Sequence, residues 1–214
     1  MKLKTTKQMM FFIFSFILLI ILYLAGNIMS QVKEPKYNII SFQKNIEIRE
    51  YAPLLVAQVA VTGERKSAIS SGFKILADYI FGNNKSVMMI NRTAPSAQKE
   101  GERISMTAPV IQQESKDSNH WNVAFVTPEE YGIKTLPQPK NKQIEIISIP
   151  RKRYVVIRFS GLPTEYALRK HEKILIDFVI KEKINAKGTP ILAFYNPPWT
   201  LPFLRRNEIM FGIE

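Results

Sequence analysis

Residues 9–29 carry no charge. Met9–Leu24 are apolar apart from Ser15, and Ala25, Gly26, Asn27, Ile28 and Met29 prolong the run behind Lys2, Lys4 and Lys7. As a helix this run would extend roughly 31 Å at ~1.5 Å per residue, close to the ~30 Å hydrocarbon core of a bilayer. The pattern predicts an N-terminal transmembrane helix within residues 1–30. Basic residues ahead of the span would place residues 31–214 on the non-cytoplasmic side. The alternative is a cleaved signal that leaves a secreted or periplasmic product, although Ala25, Gly26 and Ser30 form no A-x-A pattern.

Beyond residue 31 the apolar period becomes two, and the pattern recurs. Ile46, Glu47, Ile48 and Gly63 meet Ile144, Glu145, Ile146 and Gly161 at an offset of 98 residues, 46 onto 144. Each copy reads as a short strand, a turn carrying Pro53 or Pro150, and a strand of alternating apolar residues that ends in glycine. Ala57, Val59 and Val61 alternate in the first copy, and Val155, Ile157 and Phe159 in the second.

A helix follows each strand pair. Ile69, Phe73, Leu76 and Ile80 share one helical face, with Gly82 as the stop signal. The same offset sets Ala167, His171, Ile174 and Phe178 on the second helix, with Thr164 as its N-cap and Gly188 beyond its end. Each copy closes with two extended stretches, 104–113 and 121–126 in the first, 191–195 and 208–213 in the second. Neither half could cover the apolar face of its own sheet, so the two βαββ repeats, about 37–127 and 142–214, predict one α+β domain over residues 31–214. Residues 83–103 and the proline-bearing 128–141 break the symmetry.

Composition narrows the chemistry. The 214 residues include no cysteine, which removes disulfides, thiolate ligands and cysteine nucleophiles. Thirty Lys and Arg against eighteen Asp and Glu give +12, an excess that favours anionic partners. The positive charges are dispersed, with clusters only at 151–153 and 205–206, so nucleic acid is not expected as a partner. Catalysis finds no support either. His171 and Glu172 lack the second histidine of a zinc-protease helix because Leu175 stands in its place, no serine sits in a G-x-S-x-G elbow, and no phosphate loop occurs. A binding role follows, exercised by a monomeric domain.

Six motifs in order carry a family resemblance. They are Ile46–Tyr51, the helix Gly72-Phe73-x-x-Leu76-Ala77-x-Tyr79-Ile80-Phe81-Gly82, Ile104–Val110, Trp121–Pro128, Arg158–Gly161, and Tyr195–Pro198 with Arg205–Glu208. From about Tyr37 to Ile213 the chain resembles the SOUL haem-binding proteins. The resemblance implies a twisted antiparallel β-barrel of about eight strands with two outer helices. It also implies reversible, non-enzymatic binding of haem or a related tetrapyrrole, by a carrier, buffer or sensor. Kinship with gyrase-inhibitor-like effector-binding domains keeps another hydrophobic anion, or membrane headgroups, open as the partner, with a hydrolase on the same scaffold as a further alternative.

The resemblance further implies a groove between the first helix and the loop joining the last two strands. Phe73, Lys74, Leu76 and Ile80 map to the helix side, although Phe73 and Leu76 also read as core. Trp199, Leu201, Phe203 and Leu204 map to the loop, where they either wall the pocket or cap the barrel end. Arg205 and Arg206 suit haem propionates, because guanidinium pairs with carboxylate through two parallel hydrogen bonds; a structural ion pair is the competing role. Some relatives ligate iron with a histidine where this chain has Glu50, and a carboxylate is a poor substitute. His171 reads first as a hydrogen-bonded core residue and second as a ligand. His120, Met88, Met89 and Met106 are weaker donors, better explained by a turn and by packing.

Overall fold

The computed structural model describes residues 8–17, 32–86, 101–115, 117 and 119–214. Residues 8–17 are helical and form α1. The domain then runs β1 (Tyr37–Gln43), β2 (Ile46–Tyr51), β3 (Leu54–Thr62), α2 (Arg65–Ile80), β4 (Asn84–Lys85), β5 (Val110–Glu114) and β6 (His120–Val126). It continues with β7 (Gln138–Pro139), β8 (Ile144–Ile149), β9 (Lys152–Phe159), α3 (Glu165–Lys181), β10 (Ala186–Phe194), a 3₁₀ turn at Pro202–Leu204, and β11 (Asn207–Ile213).

Nine strands make one antiparallel sheet in the order β1-β2-β9-β11-β10-β5-β6-β3-β8. Exchanging β2 with β8, β3 with β9, β5 with β10 and β6 with β11 reads the last eight strands backwards, so the order has two-fold symmetry about the β5–β10 pair. The leading strand of each half bonds to the other half. Ile46 faces Ile157 and Ile144 faces Val59, equivalent pairs under the 98-residue offset.

The sheet is open, which corrects the barrel expectation. Closure would need β1 to bond β8. Instead β1 is turned back on β2 at Lys44, whose φ is +56°, and β8 bonds β3, leaving two separate edges. The transmembrane helix and the membrane-anchored, non-cytoplasmic placement are corrected as well: among the described residues no helix is long and apolar enough to cross a membrane. The rest of the run that motivated them, residues 18–29, lies outside the described residues.

Both helices lie on one face of the sheet. Leu76, Tyr79 and Ile80 of α2 pack on Ala57, Val59, Val123 and Phe125, while Leu168 and Leu175 of α3 pack on Val155, Ile157 and Ile209. The other face carries a second apolar layer that includes Tyr51, Tyr154, Val156, Tyr195 and Met210. Glu64 caps α2 by accepting from the N–H groups of Lys66 and Ser67, and Thr164 caps α3 as the sequence predicts. These caps stand 100 residues apart, 64 against 164, two more than the strands, because Leu162 and Pro163 lengthen the second connection. His171 therefore does not occupy the place of Phe73.

Candidate functional site

Strand register sets one row of side chains across the helix-covered face. Ala57 faces Phe125, Phe125 faces Val110, Val110 faces Phe194, Phe194 faces Asn207, and Asn207 faces Phe159. Phe125 and Phe159 stand four strand spacings apart, about 19 Å. α2 covers one end of the row, where the Phe73 ring meets Phe125 edge-on at 5.2 Å. α3 covers the other, where His171 stacks on Phe159 at 4.0 Å. Val110 and Phe194 lie between the two helix-covered ends of the row and are partly exposed, Val110 packed on the α2 side and Phe194 on the α3 side, with the Arg65 guanidinium 6.0 Å over the Phe194 ring.

Arg65, whose guanidinium donates to Glu165 at 2.7 Å and to Gln112 at 2.9 Å, ties the starts of both helices together. Phe194 leads directly into the loop of residues 195–206. This loop is braced from within: Arg205 donates to the carbonyls of Thr200, at 2.8 Å, and Pro198, and the backbone N–H of Arg206 donates to Asn196. The Gly161 N–H bonds the Pro202 carbonyl, which seats the loop beside the chain entering α3. Trp199 and Phe203 remain 66% and 69% exposed on this rigid support.

The implied site residues thus separate into three groups. Phe73, Lys74, Trp199 and Phe203 are exposed, and Leu201 and Leu204 are half-buried. Leu76 and Ile80 are sealed in the core, as the packing reading of that helix face anticipates. Arg205, Arg206 and His171 are committed to partners inside the protein. Arg206 bonds Glu208 at 2.8 Å and Glu34 at 2.7 Å, and its guanidinium lies 3.8 Å over the Tyr195 ring. His171 places Nδ1 2.7 Å from the Ala167 carbonyl. Glu50 sits in a surface ion pair with Arg153 at 3.0 Å. His120 is exposed at the start of β6, Met106 is exposed, and Met88 and Met89 lie outside the described residues.

Sequence reasoning did not single out Val110 and Phe194. The alternation of β10 puts Leu192 and Phe194 on the helix side and that of β5 puts Val110 there, but no local pattern says that Val110 and Phe194 stay partly exposed.

On the opposite face lies a charged network. Arg49, fully buried, donates to Glu208 through Nη1 at 2.8 Å and Nη2 at 3.0 Å, to Glu47 at 2.6 Å, and to the Tyr51 hydroxyl at 3.1 Å. The Tyr195 hydroxyl also donates to Glu208, at 2.9 Å. Burial alone would push the Glu208 carboxyl upward, but Arg49 and Arg206 outweigh it and hold it below the ordinary carboxylate range. Burial raises the Tyr51 hydroxyl to about 12.

The sequence pattern of the SOUL heme-binding proteins matches residues 32–212, nearly the whole described domain. The chain belongs to the SOUL heme-binding protein family. No curated protein is significantly similar to it. Among solved structures it is similar to the EcmrR C-terminal domain, with 15% identity and a TM-score of 0.55 over 83% of this chain and 98% of that one. It is also similar to a hydrolase from Listeria innocua, with 11% identity and a TM-score of 0.51 over 82% and 94% of the two chains. At these identities the likeness is one of fold.

Proposed function

We propose that this SOUL-family protein binds a tetrapyrrole reversibly, without catalysing a reaction on it, in the groove between α2 and the 195–206 loop. The observation that carries this reading is the set of large apolar side chains left uncovered on and beside α2 and on the loop. Phe73 is exposed on α2, Val110 and Phe194 are partly exposed, and Trp199 and Phe203 are held exposed on a braced loop. Those groups fit a flat apolar ring. Lys74, exposed and next to Phe73 in the chain, is the cation available to a propionate, because Arg205 and Arg206 already bond the protein itself.

The groove supports the ring better than it supports the iron. His171 is turned to its own helix and stacked on Phe159, so the residues that hold the ligand do so by apolar contact. Covering the faces of a porphyrin supplies several kcal/mol at ~25 cal/mol per Å² of apolar surface, and the cost of association offsets part of it, leaving a dissociation constant on the order of micromolar. The bracing of the loop limits the entropy still to be lost.

Titration of the full-length protein with haemin and with iron-free protoporphyrin, read by absorbance and tryptophan quenching, tests the proposal. Both should bind one to one with similar affinity, and Phe73→Ala and Trp199→Ala should each weaken both about tenfold. Absence of saturable binding in the unmodified protein would overturn the tetrapyrrole reading, and binding untouched by either substitution would overturn the groove.

A further inference from the structure

A pocket lies at the end of the sheet, where β3, β6 and β8 meet residues 33–36. It has a volume of about 740 Å³ and is lined by residues 33–36, residues 52–55, Thr107, residues 126–133 and Ser148. That size lies within the ~300–1,000 Å³ of small-molecule sites. The segment 33–36 forms a strap across it. The Lys33 carbonyl accepts from the Ala108 N–H at 3.0 Å, and three ion pairs hold the side chains: Lys33 to Glu130 at 3.1 Å, Lys36 to Glu129 at 2.6 Å and Glu34 to Arg206 at 2.7 Å.

We propose that this cavity is a second binding site, and that its ligand is an uncharged apolar small molecule. Pro35, Pro53, Leu54, Leu55, Val126 and Ile133 supply apolar wall. Three polar side chains between them already have partners. Thr107 Oγ1 donates to the Val126 carbonyl, Thr127 Oγ1 to the Leu55 carbonyl at 3.2 Å, and the Tyr131 hydroxyl to Glu102 at 2.7 Å. Each of the five charged residues on the lining, Lys33, Glu34, Lys36, Glu129 and Glu130, has an opposite charge within the protein. A charged ligand would lose its hydration and gain no counter-ion, which is costly, whereas an uncharged one loses little.

The cavity continues inward. Pro35, Leu54 and Val126 also line a smaller slot of about 90 Å³ that reaches Tyr51, Tyr154, Tyr195 and Met210. The carboxylate beyond those rings, Glu208, is saturated by Arg49, Arg206 and Tyr195, so the deep end holds no free charge either. The pocket opens to solvent beside the strap, where Ile133 and Ser148 are exposed. Two of the strap's ion pairs, Lys33–Glu130 and Lys36–Glu129, are exposed to solvent and contribute little to holding it down.

The test uses the full-length protein and Nile red, an uncharged dye whose emission reports an apolar environment. Ser148→Trp fills the cavity from exposed edge strand β8, and Ile133→Asp places a charge in its wall. Each should weaken dye binding at least tenfold without moving the urea midpoint by more than a small fraction. Tetraphenylphosphonium and 8-anilinonaphthalene-1-sulfonate, one of each charge, should fail to displace the dye. Dye binding equal in both variants would overturn the site. Displacement by either charged compound would overturn the ligand class, and displacement by iron-free protoporphyrin would merge this cavity with the tetrapyrrole site and remove it as a second one.

Discussion

Arg49 and Glu208 stand 159 residues apart in the chain and meet as a bidentate pair, with both N–O distances at 3.0 Å or less and both side chains buried. The pair joins the leading strand of the first half to the closing strand of the second across β9. Glu47, Tyr51, Tyr195 and Arg206 complete it, so that the carboxylate accepts two bonds from Arg49, one from Arg206 and one from Tyr195.

Removing one member should therefore cost more than removing both. Arg49→Met leaves a buried carboxylate with half its compensation, and losses of about 3–5 kcal/mol are typical of such a break. The double variant Arg49→Met with Glu208→Leu removes that carboxylate, leaves Arg206 paired with Glu34 and strips a charge partner only from the part-exposed Glu47, so it should recover part of that loss. Urea unfolding of the two variants checks the order. Equal destabilisation by the single and double changes would mean that packing, not charge, sets the cost.

The same network sets two pH limits. Glu208 has a carboxyl held below its ordinary value of 4.5, so its contribution is complete above that value and is lost as pH falls through the depressed one. Tyr51 is raised from 10.0 to about 12, so its contribution is complete below 10 and is lost as pH rises between those values. Stability measured against pH should form a plateau that falls at both ends, and Tyr51→Phe should make the alkaline fall shallower without abolishing it, because burial also raises the hydroxyls of Tyr79, Tyr131, Tyr154 and Tyr195.

Gly72→Ala sets two effects against each other on α2. Alanine favours a helix over glycine by about 1 kcal/mol. Its Cβ, however, would lie 2.7 Å from Cγ2 and 3.0 Å from Cβ of Val123, a stiff β-branched side chain that is fully buried. Overpacking costs about 1–3 kcal/mol, so the clash wins and the variant should have a lower thermal midpoint. Gly72→Ala that gained stability would show that α2 can rise off the sheet.

Much of this fold is written in apolar alternation. In β9, Val155, Ile157 and Phe159 face α3 while Tyr154 and Val156 face the opposite layer, and that period marks the strand in any reading. The exchange of β2 and β8 between halves is not written there, because Ile46 could pair with a strand of either half. Whether the sheet closes is equally hidden, since it depends on where β1 turns. The site was half legible. Phe73 and the aromatic loop stand out, but Arg206 meets Glu34 across 172 residues, and no local pattern records such a partner.

The role of His171 separates stability from ligand binding. Its ring stacks on Phe159 with an interplanar angle of 8°, and its Nδ1 bonds the carbonyl of the preceding helical turn. An aromatic pair contributes about 0.5–1.5 kcal/mol beyond burial, and a hydrogen bond about 1 kcal/mol. His171→Ala should therefore lower unfolding stability by about 1–2 kcal/mol while changing affinity for haemin and for iron-free protoporphyrin by less than twofold. His171→Phe keeps the stack and should restore most of the stability, which a coordinating histidine would not allow for the haem spectrum. A sharp low-spin spectrum in the unmodified protein, abolished by both substitutions and accompanied by failure to bind the iron-free ring, would place the iron on His171. The apolar-contact mechanism would then have to be given up.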